Sequence, residues 1–251
     1  MKRFYIYIFL MVIISCKKKK YKYEYYQSGE IKEKIEVNEY NVPDGEYSLF
    51  YENGKTKYKT RAKLGKFNDT LIIFYRNEKI KEKGKLTEGK RIGWWAYYDS
   101  LGYRAKQIEY IIKNDTAIEN QKIYYKNGKI DLDRSYYFEA NIPDTLIIGE
   151  NIVKLINHSC YKREPKTKLL KAILNVNFQD KTHIDTVSSH NDTILFRIYP
   201  DTIGKLIINI ELIETLLYEK EINKDSVELN FIDNTSYLNK ETTVLDSLER
   251  H

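Results

Sequence analysis

The feature that most constrains this chain is a short motif that recurs five times between residues 25 and 129. Each copy has an adjacent pair of aromatic residues followed by turn-forming residues, and successive copies begin 23–27 residues apart. A spacing this regular is typical of repeat architectures, in which each unit packs against its neighbours. The five copies span residues 25–30, 50–55, 74–79, 97–102 and 124–129.

Each copy of the motif predicts a β-hairpin. Asn-Gly pairs such as Asn53-Gly54 favour a type I′ turn, because both residues accept positive φ. The residues after the turn alternate, as in 56–59 and 80–83, which predicts a strand with lysines on one face. We therefore expect an antiparallel, single-layer sheet of consecutive hairpins. Three glycines are expected at the turns between hairpins: Gly45, Gly65 and Gly89.

The pattern resembles the MORN repeat family, in its bacterial variant form, over residues 25–138. The fourth copy matches best, with Gly89 followed by the aromatic strand 94–98 and then Gly102. The third copy departs from the family at Glu78, and the fourth has an extra Leu101. The resemblance implies an elongated sheet that serves as an interaction scaffold. Some bacterial members are associated with antitoxins, and no catalytic residues come with the family.

Most of the aromatic residues are expected to pack between neighbouring hairpins, since a lone hairpin is only marginally stable. Trp94 and Trp95 are an exception, because adjacent strand residues point to opposite faces of a sheet. One of the two is therefore expected to be exposed. The candidate binding residues, for a glycan, a peptide or a lipid headgroup, are Trp94, Trp95, Tyr97 and Tyr98.

The N-terminus has the pattern of an export signal. Lys2 and Arg3 precede an apolar run of 11 residues, 4–14. As a helix this run would be about 16 Å long, too short for the roughly 30 Å hydrocarbon core. The run ends at Ser15-Cys16, which resembles the lipobox of bacterial lipoproteins. That resemblance implies a signal peptide over residues 1–15, cleavage after Ser15, a diacylglycerol on the Cys16 sulfur and a basic linker over 16–24.

Two other interpretations of the N-terminus stay open. The basic run from Lys17 to Lys20 favours cytoplasmic retention, so the apolar run could be a short anchor for a cytoplasmic body. Alternatively, Cys16 is an idle cysteine after an ordinary signal peptide. The lipoprotein interpretation predicts a protein anchored by lipid at the outer membrane or a periplasm-facing membrane, with the lysines at the headgroups.

Charge divides the chain into two modules. Residues 17–138 hold 27 Lys and Arg against 18 Asp and Glu, whereas residues 139–251 hold 13 against 18. Basic residues interleaved with aromatics are also a pattern of single-strand nucleic-acid binding. Export would separate the protein from nucleic acid, so that partner is disfavoured.

The second module is expected to be a β-sandwich over residues 139–238. Short alternating segments recur after turn residues, as at 172–178, 194–198 and 208–212. The segment resembles immunoglobulin-like domains, although it lacks their Cys–Trp–Cys pattern. Residues 239–251 are expected to be a polar tail, with a short helix near 244–248.

Residue patterns for catalysis are lacking. The histidines and Cys160 do not follow zinc-ligand spacing, and no phosphate loop, dinucleotide fingerprint or serine elbow is found. We expect no catalytic residues, no metal and no cofactor.

The sequence predicts a non-enzymatic, membrane-anchored envelope lipoprotein that binds a protein or glycan through MORN-like hairpins. The alternative is a cytoplasmic antitoxin-like partner of a toxin. A third possibility is an enzyme with a site at the junction of the modules.

Overall fold

The computed structural model describes residues 19–160, 167–178, 181–223 and 226–246. Within these ranges the chain is all-β, with nineteen strands and no helix. The predicted signal peptide, Ser15 and Cys16 lie outside the described residues.

The first module is a single antiparallel sheet in which nearly every strand pairs with the next one along the chain. Its order is β1-β2-β3-β4-β6-β7-β8-β9-β10-β11, with the short β5 pairing beside β4. The predicted sheet of consecutive hairpins is confirmed. Its strands are β1 (Lys20–Tyr25), β2 (Ile31–Val37), β3 (Pro43–Phe50), β4 (Thr56–Lys63), β5 (Lys66–Phe67), β6 (Asp69–Phe74), β7 (Ile80–Thr87), β8 (Lys90–Tyr98), β9 (Arg104–Lys113), β10 (Thr116–Lys126) and β11 (Lys129–Ile130).

The turns inside the first four copies differ from the expected type I′ turn. In the second copy the Gly54 N–H donates to the Tyr51 carbonyl at 2.9 Å, and Gly54 alone in that turn has positive φ. This is the pattern of a type I turn followed by a left-handed residue, which adds one residue to the returning strand. That extra residue is Gly54 itself, because the Tyr51 N–H donates to the Lys55 carbonyl at 2.7 Å. A separate bulge skips Lys57, where Leu49 pairs with Tyr58 and Phe50 with Thr56.

Two-residue turns with positive φ at both positions occur instead between the hairpins. Leu64-Gly65 closes such a turn, with Lys63 paired to Lys66 on either side. The turns at Glu88-Gly89 and Asn114-Asp115 also have positive φ at both positions. Among the turns inside the five copies, only the one at Asn127-Gly128 has this geometry. Gly65 and Gly89 thus lie at the predicted turns, whereas Gly45 lies inside β3.

The fourth copy is offset by one residue from its sequence alignment. The Gly102 N–H donates to the Asp99 carbonyl, as Gly54 does to Tyr51. Asp99 therefore occupies the position of the second aromatic residue, and Tyr98 that of the first. This offset accounts for the apparently extra Leu101.

The second module is a sandwich of a three-stranded and a five-stranded sheet, as expected. The sheets have the orders β12-β14-β17 and β13-β19-β18-β15-β16. Alternate apolar residues from both sheets, including Leu155, Leu174, Phe196 and Ile208, form one buried core. The strands are β12 (Tyr137–Asn141), β13 (Thr145–Ile147), β14 (Asn151–His158), β15 (Thr167–Phe178), β16 (Lys181–Ser189), β17 (Thr193–Ile198), β18 (Gly204–Asn223) and β19 (Ser226–Leu245).

Two segments expected to be irregular are strands. Part of the expected basic linker 16–24 lies in β1, whose alternating tyrosines pair with β2. Residues 239–245 of the expected tail complete β19, so the helix expected near 244–248 is wrong for Val244 and Leu245. Thr242 and Val244 are buried there, and 243–245 pair in parallel with β13. Pairing on both sides explains why this polar segment is ordered as strand.

Candidate binding surface

The two faces of the hairpin sheet differ in character. Strands β4 and β7, 24 residues apart in the chain, have the same alternation of exposed and less exposed positions. The less exposed positions include Ala62 and Leu86, each 5% exposed. The exposed positions hold mainly Lys and Arg. One face is therefore packed and largely apolar, and is called the apolar face, whereas the other is basic, as the period of two in a strand dictates.

Trp95 is the centre of the apolar face. Its side chain is fully buried, and its ring lies so close to the backbone that a Cβ on Gly84 would be 2.2 Å from it. The indole N–H donates to the Lys85 carbonyl at 3.2 Å, and the Arg91 guanidinium lies 4.1 Å from the ring centroid. Trp95 therefore packs the sheet and has no surface to offer a ligand.

Tyr97 belongs to the same packed cluster. Its hydroxyl is hydrogen-bonded to the Tyr110 hydroxyl at 2.9 Å and accepts from Arg91. Burial and the Tyr110 hydrogen bond raise the pKa of the Tyr97 phenol well above its usual value. Arg91 in turn forms an ion pair with Glu82 at 3.0 Å. The cluster holds β7, β8 and β9 together.

Tyr98 has a different structural role, since its carbonyl oxygen accepts a hydrogen bond from the Tyr75 hydroxyl at 2.8 Å. The same bond joins Tyr51 to the Phe74 carbonyl and Tyr26 to the Phe50 carbonyl, both at 2.7 Å. The second aromatic residue of each of the first three copies thus joins that copy to the next.

Trp94 is the exposed member of the pair, as the alternation predicted. Its side chain is 39% exposed on the basic face. It lies between Ile92 and Ala96, whose partners across the strand pair are Lys85 and Lys83. Of the four residues singled out from the sequence, Trp94 therefore presents the most exposed ring.

The basic face carries two rows of exposed cations. None of these side chains forms an ion pair with a residue in the part of the chain that the structure describes. The strand between the rows, β6, places only uncharged residues, Thr70 and Ile72 among them, on this face. Two acidic residues lie at its border: Glu46, opposite Arg61, and Glu36, whose carboxyl pKa is lowered by a hydrogen bond from the Glu46 N–H and in part by Arg61. The rows are Lys59, Arg61 and Lys63 on β4, and Lys83 and Lys85 on β7, because Lys57 and Lys81 lie at bulges near the start of these strands.

The basic face was only partly visible in the sequence. The sequence indicates the alternating lysines of each strand, but the two rows are about 24 residues apart in the chain. The two rows lie on one continuous face because the order of the hairpins places only β6 between β4 and β7. The strand order, added to the sequence, predicts this face, because equivalent positions in neighbouring repeats lie on the same side of the sheet.

A second candidate site is a cavity of about 550 Å³ in the sandwich, where the edges of β16 and β17 lie side by side. Its floor includes Val176 and Phe178, and its rim includes His183, Asp185 and Arg197. Arg197 is already paired to Glu150 at 2.5 Å. The cavity is a cleft in the core with mixed charges on its rim.

A buried carboxylate lies elsewhere in the sandwich. Glu214 is 4% exposed and accepts from Lys168 at 2.8 Å, Asn157 at 2.9 Å and Ser159 at 3.0 Å. These donors satisfy the charge, so the cluster links strands of both sheets. Burial raises the pKa of the nearby Cys160 thiol, the property of an inert cysteine.

Among the described residues, no group of three or more His, Cys, Asp or Glu side chains is arranged to hold a metal ion. The same residues contain no helix long and apolar enough to cross a bilayer. No family model matches the chain, and no curated protein is similar to it.

Proposed function

We propose that this chain is a lipid-anchored envelope protein that acts as a non-enzymatic binding scaffold, with the hairpin sheet as its MORN-like binding module. The lipid on Cys16 would hold it at the outer membrane or a periplasm-facing membrane. The observation that carries the binding role is the basic face, where five exposed cations form no ion pair among the described residues. A face built only for solubility would mix both signs of charge.

The packing of the opposite face supports the same proposal. The residues that hold the hairpins together, such as Trp95 and Tyr97, lie on the apolar face. The cations on the other face are exposed and form no ion pair among the described residues, although Lys59 lies 5.6 Å from the Phe74 ring centroid, so they are available to a partner.

The strand order of the second module supports an immunoglobulin-like assignment. One sheet joins the first, second and fifth long strands, while the other places the last two strands beside the third. Such sandwiches commonly present loops or edges as interaction surfaces, which suits a scaffold protein.

Metabolic labelling with radioactive palmitate tests the anchoring. The wild-type protein should incorporate label and fractionate with membranes, whereas Cys16→Ala should do neither. Cys160→Ala is the matched control and should label like wild type. Equal labelling of wild type and Cys16→Ala, or an unlabelled wild type in the cytoplasm, would contradict the proposal.

A further inference from the structure

We infer that the basic face of the hairpin sheet binds a linear acidic polysaccharide that lies across the strands. This inference rests on the proposed binding role of the sheet and names the class of ligand. It is carried by one line of residues that runs across the sheet, perpendicular to the strands and to the two rows of cations.

This line is defined by the strand register. Tyr23 pairs with Lys34, Lys34 with Ser48, and Ser48 with Lys59. The line continues from Lys59 through Ile72 to Lys83 and then to Ala96, which is beside Trp94 on the same strand. Residues directly opposite each other lie on the same face, so these side chains form one continuous line.

Cations recur at every second strand along this line. Lys34, Lys59 and Lys83 lie on β2, β4 and β7, each separated from the next by a single strand. Neighbouring strands are about 4.8 Å apart, so successive cations are roughly 9.6 Å apart at the backbone. This spacing is comparable to the length of a disaccharide, the unit in which many linear acidic polysaccharides carry one charge.

Aromatic rings lie at both ends of the line. Tyr23 is 44% exposed at one end, and Trp94 is 39% exposed at the other. Exposed rings offer apolar faces on which sugar rings stack, while the cations between them pair with carboxylates or sulfates. A polysaccharide in which charged and uncharged sugars alternate can stack on the rings and pair with the cations at the same time.

The same features fit other polyanions less well. Single-stranded nucleic acid needs successive rings for successive bases, whereas here the strands between Tyr23 and Trp94 present Ser48 and Ile72 along the line. A bilayer needs apolar groups that project beyond the cations, but Ile72 is half-buried between the two rows. The polysaccharide is therefore the occupant that the face favours.

The test is a binding titration of hyaluronate, which has one carboxylate per disaccharide, to the chain from Lys17 to His251. This chain contains every described residue and lacks only the segment proposed to be cleaved and its lipidated cysteine. Hyaluronate should bind saturably at low salt and weaken as salt is raised, and neutral dextran should not bind. The triple variant Lys59→Glu, Lys83→Glu, Lys85→Glu should lose at least about tenfold in affinity.

The matched control is Lys126→Glu, Lys129→Glu, Lys154→Glu, which makes the same change in net charge at exposed positions away from the line. It should bind within about twofold of wild type, and thermal unfolding should show that both triple variants are folded. Trp94→Ala should also weaken binding. Equal losses in the two triple variants, or tighter binding of single-stranded DNA or phosphatidylglycerol vesicles than of hyaluronate, would overturn the inference. Such a result would not bear on the lipid anchor, because the chain from Lys17 to His251 lacks Cys16. The anchor is tested separately by palmitate labelling.

Discussion

The side-chain amide of Asn120 is hydrogen-bonded to both backbone polar groups of Tyr237, as a strand partner would be. The Asn120 amide nitrogen donates to the Tyr237 carbonyl at 2.7 Å, and the Tyr237 N–H donates to the Asn120 amide oxygen at 2.7 Å. Asn120 is the residue skipped by the register between β9 and β10. A bulge of this kind turns a side chain away from its own ladder, here onto an edge of the sandwich.

Asn120→Ala is expected to loosen the junction between the hairpin sheet and the sandwich. Asn120 is 2% exposed, so its loss leaves the two Tyr237 backbone groups without partners at a cost of about 1–3 kcal/mol. Hydrogen exchange at the Tyr237 amide should accelerate. Asn53→Ala, in an exposed turn, is the control and should leave that amide protected. Unchanged exchange in Asn120→Ala would contradict this role.

Gly84→Ala is expected to destabilise the hairpin sheet because the Trp95 ring occupies the place of the added methyl group. Overpacking of this kind costs about 1–3 kcal/mol, or more where the ring cannot move. Chemical denaturation followed by circular dichroism measures the effect. Gly89→Ala places a methyl in open space at positive φ and should cost about 1 kcal/mol. A larger loss at Gly89 than at Gly84 would argue against this packing.

Tyr51→Phe is expected to weaken the contact between the second and third hairpins. It removes the hydroxyl that donates to the Phe74 carbonyl at 2.7 Å, at a cost of about 0.5–1.5 kcal/mol. Tyr40→Phe is the control, since Tyr40 is 84% exposed and should be neutral. Urea unfolding of both variants decides the point, and equal stabilities would show that the hydroxyl ladder contributes nothing.

Stability is expected to fall at alkaline pH through Tyr47 and Tyr97. Burial raises the pKa of both phenols above the ordinary value of 10.0, with further contributions from hydrogen bonds to Glu33 and Tyr110. A raised folded-state pKa stabilises the fold fully below about pH 10. That stability is lost as the pH rises further, because the unfolded chain releases protons that the folded chain keeps.

The measurement is the free energy of unfolding between pH 8 and 11, about the range in which tyrosine begins to ionise. Tyr97→Phe should show a shallower alkaline decline than wild type. Tyr103→Phe, whose ring is 71% exposed, is the control and should follow the wild-type curve. An alkaline limb unchanged in Tyr97→Phe would exclude Tyr97 as a source of the decline.

The sequence predicted the hairpin sheet and the sandwich because both depend on local signals. The aromatic pairs, the turn glycines and the period of two each act within a few residues. The type I′ turn predicted at Asn53-Gly54 is wrong, because this pair suits both a type I′ turn and a left-handed residue after a type I turn. The choice between them depends on which residues of the two strands pair at the turn, here Tyr51 with Lys55.

Contacts between distant segments were out of reach. Nothing near Asn120 in the sequence indicates that its side chain meets Tyr237, because that contact depends on how the modules meet. The prediction for Trp94 and Trp95 succeeded in placing one on each face. Which of them is buried follows from Gly84, the small residue on the neighbouring strand that makes room for the Trp95 ring.

The central claim is that the hairpin sheet has one packed face and one open binding face, and Trp fluorescence tests it most directly. The chain has two tryptophans, so Trp94→Phe leaves Trp95 as the only reporter. We predict blue-shifted emission that resists acrylamide quenching and does not change when hyaluronate is added, whereas the wild-type protein should show a second, quenchable component that responds to hyaluronate. Emission from Trp94→Phe that acrylamide quenches as readily as free tryptophan would contradict the account.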